Sequence, residues 1–253
     1  MKQIKTLVIA LFLFAGMSSF WGCADLSTDP INGDVTEGFI PVLPSYSGYH
    51  GVFASVMFDQ LVQGDLQVNY IMGYANLSGS DAGTVLLMNQ NILKNGSLGN
   101  YVYSSYNPNK PTTLFNVVFD GVSQHNWAIS GTGSIPSASF SQESPSDFSL
   151  NRSLAGQTID KTKGFTISWT TPEGPEKYFA YISTTKAGSN EVLVRGSVIT
   201  GLSEFTFSPA ALTTLNGEIR VQVVKYKESE VKIGNKPYVV FAQVVRGFNC
   251  KIN

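Results

Sequence analysis

The chain has only two cysteines and two histidines in 253 residues, and charged residues make up only 14% of it. Each shortage excludes something. Cys23 and Cys250 are too few for a disulfide scaffold. His50 and His125 are isolated, and no G-x-S-x-G elbow, H-E-x-x-H pair or Cys/His metal spacing occurs. The aspartates lack the spacing of a calcium loop. Lys and Arg never cluster, so nucleic acid is not an expected partner. Scattered Asp and Glu single out no glycosidase pair. No catalytic residue, metal or cofactor is assigned, and a non-enzymatic protein is expected.

Long apolar runs are scarce too. The one at Leu7–Met17 follows a basic head of Lys2 and Lys5. It falls short of the about 20 residues that a membrane-spanning helix needs. A basic head and a short apolar core make the pattern of a secretory signal peptide. The run ends at Phe20-Trp21-Gly22-Cys23, which resembles a bacterial lipobox: a bulky apolar residue, then a small residue directly before cysteine. Phe20 stands where leucine is commonest, and Trp21 where a smaller residue is commonest. The resemblance implies removal of residues 1–22 and lipidation of Cys23 by a thioether-linked diacylglycerol and an amide-linked acyl chain of the palmitate type. Several chains matter because burial is worth about 0.8 kcal/mol per CH₂ and one chain holds only marginally. The alternative is an ordinary cut near Gly16–Ser19 that leaves Cys23 a free thiol. Ala24 rather than aspartate follows Cys23, which resembles an outer-membrane address, on the cell surface or the periplasmic face.

Without the leader, 15 basic and 18 acidic residues leave a formal charge of −3. The charge is uneven. Residues 46–145 contain only Lys94 and Lys110 against Asp59, Asp65, Asp81, Asp120 and Glu143, whereas residues 146–253 hold 13 basic and 9 acidic residues. A boundary is therefore expected near 145, with Ser141–Asp147 as a hinge. Residues 23–45 mix acids, Gly and Pro and read as a tether.

Both halves read as short strands separated by turns. In the first, strands are expected at His50–Leu61, Leu66–Gly73, Thr84–Met88, Asn100–Tyr106, Thr113–Asp120, Asn126–Ser130 and Ser137–Ser141. In the second, Phe165, Ile167 and Trp169 alternate with polar residues. Further strands follow at Lys177–Thr184, Glu191–Ile199, Glu204–Phe207, Glu218–Lys227 and from Pro237. Val240, Ala242, Val244, Phe248, Cys250 and Ile252 share one face, so Cys250 reads as a buried, inert thiol. The expected fold is all-β: two antiparallel β-sandwich modules in tandem, 46–145 and 146–253.

Phe165–Pro172, Lys177–Ile182 and Glu218–Tyr226 resemble the second, third and sixth strands of a fibronectin type III or related immunoglobulin-like domain. The likeness covers residues 148–253; Pro209–Leu215 is longer than the usual turn before the sixth strand. The whole layout resembles uncharacterised surface lipoproteins of Bacteroidetes-type bacteria, which implies a cell-envelope role and says nothing of catalysis.

Tyr46, Tyr49, Tyr70, Tyr74, Tyr101, Tyr103 and Tyr106 crowd the first half among Asn, Ser and Gly. Tyrosine in that company makes contact surfaces, and equally fills half-buried strand positions. Tyr101 and Tyr103, on one strand face, are the candidate ligand-binding pair. Trp127 and Trp169 read as core plugs, and His125, beside Trp127, as a core-edge histidine. The expected function is a binding or adhesion module, anchored to the membrane through Cys23, with a glycan or surface protein as partner. The alternatives are a structural or assembly spacer of an envelope complex and a glycan-binding accessory protein of a polysaccharide-uptake system.

Overall fold

The computed structural model describes residues 40–63, 66–97, 99–107, 112–170, 176–185 and 191–253. The cleavage site, Cys23 and all of the tether up to residue 39 lie outside them. The first half contributes β1 (Gly51–Gln63), β2 (Leu66–Gly79), β3 (Val85–Leu87), β4 (Gln90–Ile92), β5 (Lys94–Asn95), β6 (Tyr101–Ser104), β7 (Gln124–Ile129) and β8 (Ala138–Glu143). The second contributes β9 (Thr158–Ile159), β10 (Phe165–Ser168), β11 (Lys177–Thr184), β12 (Val192–Arg195), β13 (Ile199–Thr200) and β14 (Glu204–Phe207). A single helical turn, α1 (Pro209–Leu212), precedes the long pair β15 (Gly217–Ile233) and β16 (Lys236–Ile252). Among the described residues no helix is long and apolar enough to cross a membrane.

The all-β sandwich class expected from the sequence is what the chain forms. Its centre is one ten-stranded sheet in the order β12-β11-β15-β16-β1-β2-β6-β5, with β13 on β11 and β9 on β16. A four-stranded sheet, β4-β3-β7-β8, and a two-stranded one, β10-β14, form the covering layer.

The long hairpin β15–β16 explains why the large sheet exists. Gly234, at φ +62°, opens its two-residue turn, a position where only glycine is free of a side-chain penalty. Tyr238–Val245 is almost continuously apolar, as a strand buried on both faces requires. Val240, Val244, Phe248, Cys250 and Ile252 enter the main core, while Val239, Phe241 and Val245 enter a second core on the opposite face. Burial pushes the Cys250 thiol up to about 11, so it is protonated and unreactive at neutral pH.

The two halves are joined far more closely than by a linker. Strand β1 pairs in parallel with β16, Gly51 opposite Tyr238 through Phe58 opposite Val245. The main core is also common property: it runs from Phe53, Trp127 and Ile129 to Trp169, Ile182 and Val223. The expected picture of two modules with separate sheets is corrected accordingly: β1 needs β16 for its backbone hydrogen bonds, and the boundary near 145 separates covering layers rather than sheets. The expected hinge is pinned as well. Lys225 Nζ donates to Ser146 Oγ at 2.6 Å, and Arg246 holds the Asp147 carboxylate at 2.7 and 2.8 Å. Nearby, Asp59 of β1 receives Arg152 at 2.8 Å and Arg220 at 3.0 Å, so charges from the second half close on a carboxylate of the first.

Chain entry into this fold is fixed. Residues 41–46 cross the second face of the large sheet, where Gln243 Nε2 donates to the Val42 carbonyl at 3.1 Å and Arg195 donates to that of Leu43.

Candidate functional site

The cleft that contains Tyr101 forms where β2 and β6 lose register between Ala75 and Gly79. Ser78 and Gly79 turn through positive φ, 53° and 72°. A Cβ on Gly79 would collide with the Gly99 carbonyl, so the close approach of the two backbones requires glycine there. The result is an open cleft of about 590 Å³ lined by Ile40, Asn76, Ser78, Ser97, Asn100, Tyr101 and Val102 together with the glycine backbone at 79, 96 and 99. No charged side chain is among these lining residues.

Against the Tyr101 ring stands a chain of polar contacts. Lys94 Nζ sits 4.8 Å from the Tyr101 ring centroid and pairs with Asp81 at 2.9 Å. Asp81 Oδ1 also accepts from the Gly83 N–H at 2.8 Å and the Tyr103 hydroxyl at 3.1 Å. The Gly83 N–H, then Lys94, hold this carboxyl below the usual carboxylate range. The Tyr103 hydroxyl in turn accepts from the Ala82 N–H at 2.8 Å.

Tyr103 is thereby removed from the binding surface. It is fully buried, its hydroxyl is consumed internally, and burial raises it to about 12. The expected pair reduces to Tyr101, which is half-buried with its ring at the cleft. Most of the tyrosine density is structural in the same way. Tyr70 and Tyr106 pack with Phe58 at centroid distances of 5.9 and 5.0 Å, and Tyr74 is 1% exposed. The sequence carried no signal separating Tyr101 from Tyr103, because both have the same parity on β6.

The histidines are occupied elsewhere. His125 is fully buried; its Nε2 meets the Val118 carbonyl at 2.9 Å and its Nδ1 meets Ser55 Oγ at 2.7 Å. A carbonyl can only accept, so Nε2 carries the proton and Ser55 donates to Nδ1. A serine–histidine pair is present, but neither the Tyr101 cleft nor the second cleft described below is lined by it. His50 stacks edge-on to Tyr238 at 5.4 Å with Lys236 Nζ 3.1 Å from Nε2. Trp127 and Trp169 are core plugs: Trp127 meets Phe53 at 5.4 Å and Trp169 meets Tyr178 at 5.3 Å. Among the described residues no three His, Cys, Asp or Glu side chains converge as metal ligands.

A second cleft, about 780 Å³, lies beside the entering segment and is lined mainly by Leu43, Pro44, Tyr46, Tyr49 and Val192, with Arg195 on its wall. No protein-family model matches this chain, and no curated protein matches it either.

Proposed function

We propose that this chain is a membrane-anchored, non-enzymatic envelope lipoprotein that acts as a binding or adhesion module, with the Tyr101 cleft as its binding site. The observation that carries the proposal is the chemistry of that cleft: one aromatic ring, with Lys94 Nζ 4.8 Å from its centroid, beside Ile40 and Val102 and among neutral amides, hydroxyls and glycine backbone. An aromatic face suits the apolar side of a sugar ring, and amides and hydroxyls suit its hydroxyl groups. A neutral glycan is the ligand class that fits.

The anchor is supported by the lipobox-like Phe20–Cys23 and by the way the chain enters the fold, where Arg195 and Gln243 tie it to the sheet. The immunoglobulin-like reading of residues 148–253 is supported by strand order: β12-β11-β15-β16 in one layer and β10-β14 in the other. A second reading, an assembly subunit, is favoured by an exposed apolar loop at residues 115–122.

Replacing Tyr101 by alanine removes the ring and leaves the Asp81–Tyr103 contacts intact. On a glycan array followed by calorimetry, Tyr101→Ala is expected to weaken binding by about tenfold or more, roughly 1.4 kcal/mol, and Tyr101→Phe to retain it. Unchanged affinity in Tyr101→Ala would remove the cleft from the account.

A further inference from the structure

Residues 115–122 run as a loop along the end of the four-stranded sheet; Val117 and Phe119 turn into the main core, while three apolar side chains stay outside it. Phe115 is 71% exposed, Val118 50% and Val122 73%. The backbone beneath them is held residue by residue. The Gln90 side chain grips both sides of Phe115: its Oε1 accepts the Phe115 N–H at 2.8 Å and its Nε2 donates to the Phe115 carbonyl. Buried His125 holds the Val118 carbonyl at 2.9 Å. The Asp120 carboxylate accepts from the N–H groups of Val122 and Ser123 at 3.0 and 2.7 Å, and Lys227 Nζ donates to the Gly121 carbonyl at 2.7 Å. A loop fixed this way has already lost the entropy that docking would otherwise cost, and an exposed aromatic ring supplies apolar area that a partner's pocket can bury.

The second cleft supplies a matching socket. It lies on the opposite face of the ten-stranded sheet, it is lined mostly by apolar side chains, and its one charged wall residue is Arg195. The loop bears the opposite charge in exposed Asp120, whose carboxylate accepts only from the neutral N–H groups of Val122 and Ser123 and the hydroxyls of Ser123 and Ser144 and forms no ion pair among the described residues. Acidic character beside the loop also opposes docking on anionic lipid.

We propose that the Phe115 loop of one copy docks into the cleft between residues 41–49 and Val192–Arg195 of a second copy, with Asp120 facing Arg195. Because loop and cleft are different surfaces on opposite faces, the contact is head-to-tail and builds rows, or rings where the rotation closes, rather than reciprocal pairs. One loop in one cleft falls at the low end of interface sizes, below about 1,200 Å², so the contact is transient and is best caught in cells.

The experiment places the photo-crosslinking amino acid p-benzoylphenylalanine at position 115 of the full-length chain in living cells. The expected product has twice the mass of one chain and maps to residues 41–49 or 192–195. Val192→Glu in the same chain is expected to reduce it about tenfold. Val192 is 37% exposed, and an unchanged thermal melt verifies that this variant is folded. No adduct, an adduct to lipid or another protein, one mapping elsewhere on the chain, or one indifferent to Val192→Glu overturns the proposal.

Discussion

A fully buried imidazole stabilises a fold only while it is uncharged. Burial lowers His125 below its ordinary value of 6.5, so the unfolded chain takes up a proton at a pH where the native chain does not. Its contribution is complete above about pH 6.5 and falls as pH drops below that, by up to about 1.4 kcal/mol per unit, until the folded group itself titrates. Urea midpoints are therefore expected to be lower at pH 5.5 than at pH 8. His50 is also lowered, by burial and then by Lys236, so the drop must persist in a His50→Gln background; equal midpoints there would contradict the account of His125. The same scale governs how the tyrosines are tested. Tyr103→Ala would strip the Ala82 N–H and Asp81 of a buried partner and disturb the fold itself, which makes Tyr101 the informative position.

At the scale of elements, the parallel pair β1–β16 decides what can fold alone. Without β16, one edge of β1 loses its hydrogen-bond partners along Gly51–Phe58, and Phe53, Ala54 and Val56 lose the strand beside them. Fragment 46–145 is expected to show no cooperative urea transition by circular dichroism, while the full chain unfolds in one. A fragment that unfolds cooperatively would restore two independent modules. Local pattern made most strands legible: Phe165–Ser168, Lys177–Thr184 and Glu204–Phe207 lie inside or on the expected segments. The pairing of β1 with a strand nearly two hundred residues later was not legible, because period-two alternation reports which face is buried and not which neighbour is beside it. The alternation of Phe115, Val117 and Phe119 predicted a strand where a loop stands. Asn116 sits at φ +59°, which breaks the extended backbone, and Gln90 takes the hydrogen bonds that a neighbouring strand would have supplied. Short β4 and β5 lacked the length for any periodic signal. In the candidate site, Tyr101 was legible as an aromatic among Asn, Ser and Gly, while the register loss between Ala75 and Gly79 that opens its cleft was not.

On the scale of the whole molecule, the chain is a broad sheet covered on one face by two small sheets and crossed on the other by the segment that enters it. Tension on an anchor at Cys23 would reach the sheet through residues 41–46 and thus β16 through Gln243, the strand that both halves share. That arrangement suits a module held at a membrane, the central claim of the proposed function. Protease shaving of intact cells, wild type beside Cys23→Ala, tests it most directly. The account predicts that wild-type protein is membrane-bound and lost on shaving of sealed cells, and that Cys23→Ala is released in soluble form. Wild-type protein protected until the outer membrane is opened would move the reading to the assembly subunit, and Cys23→Ala protein that stays on the membrane would contradict the account.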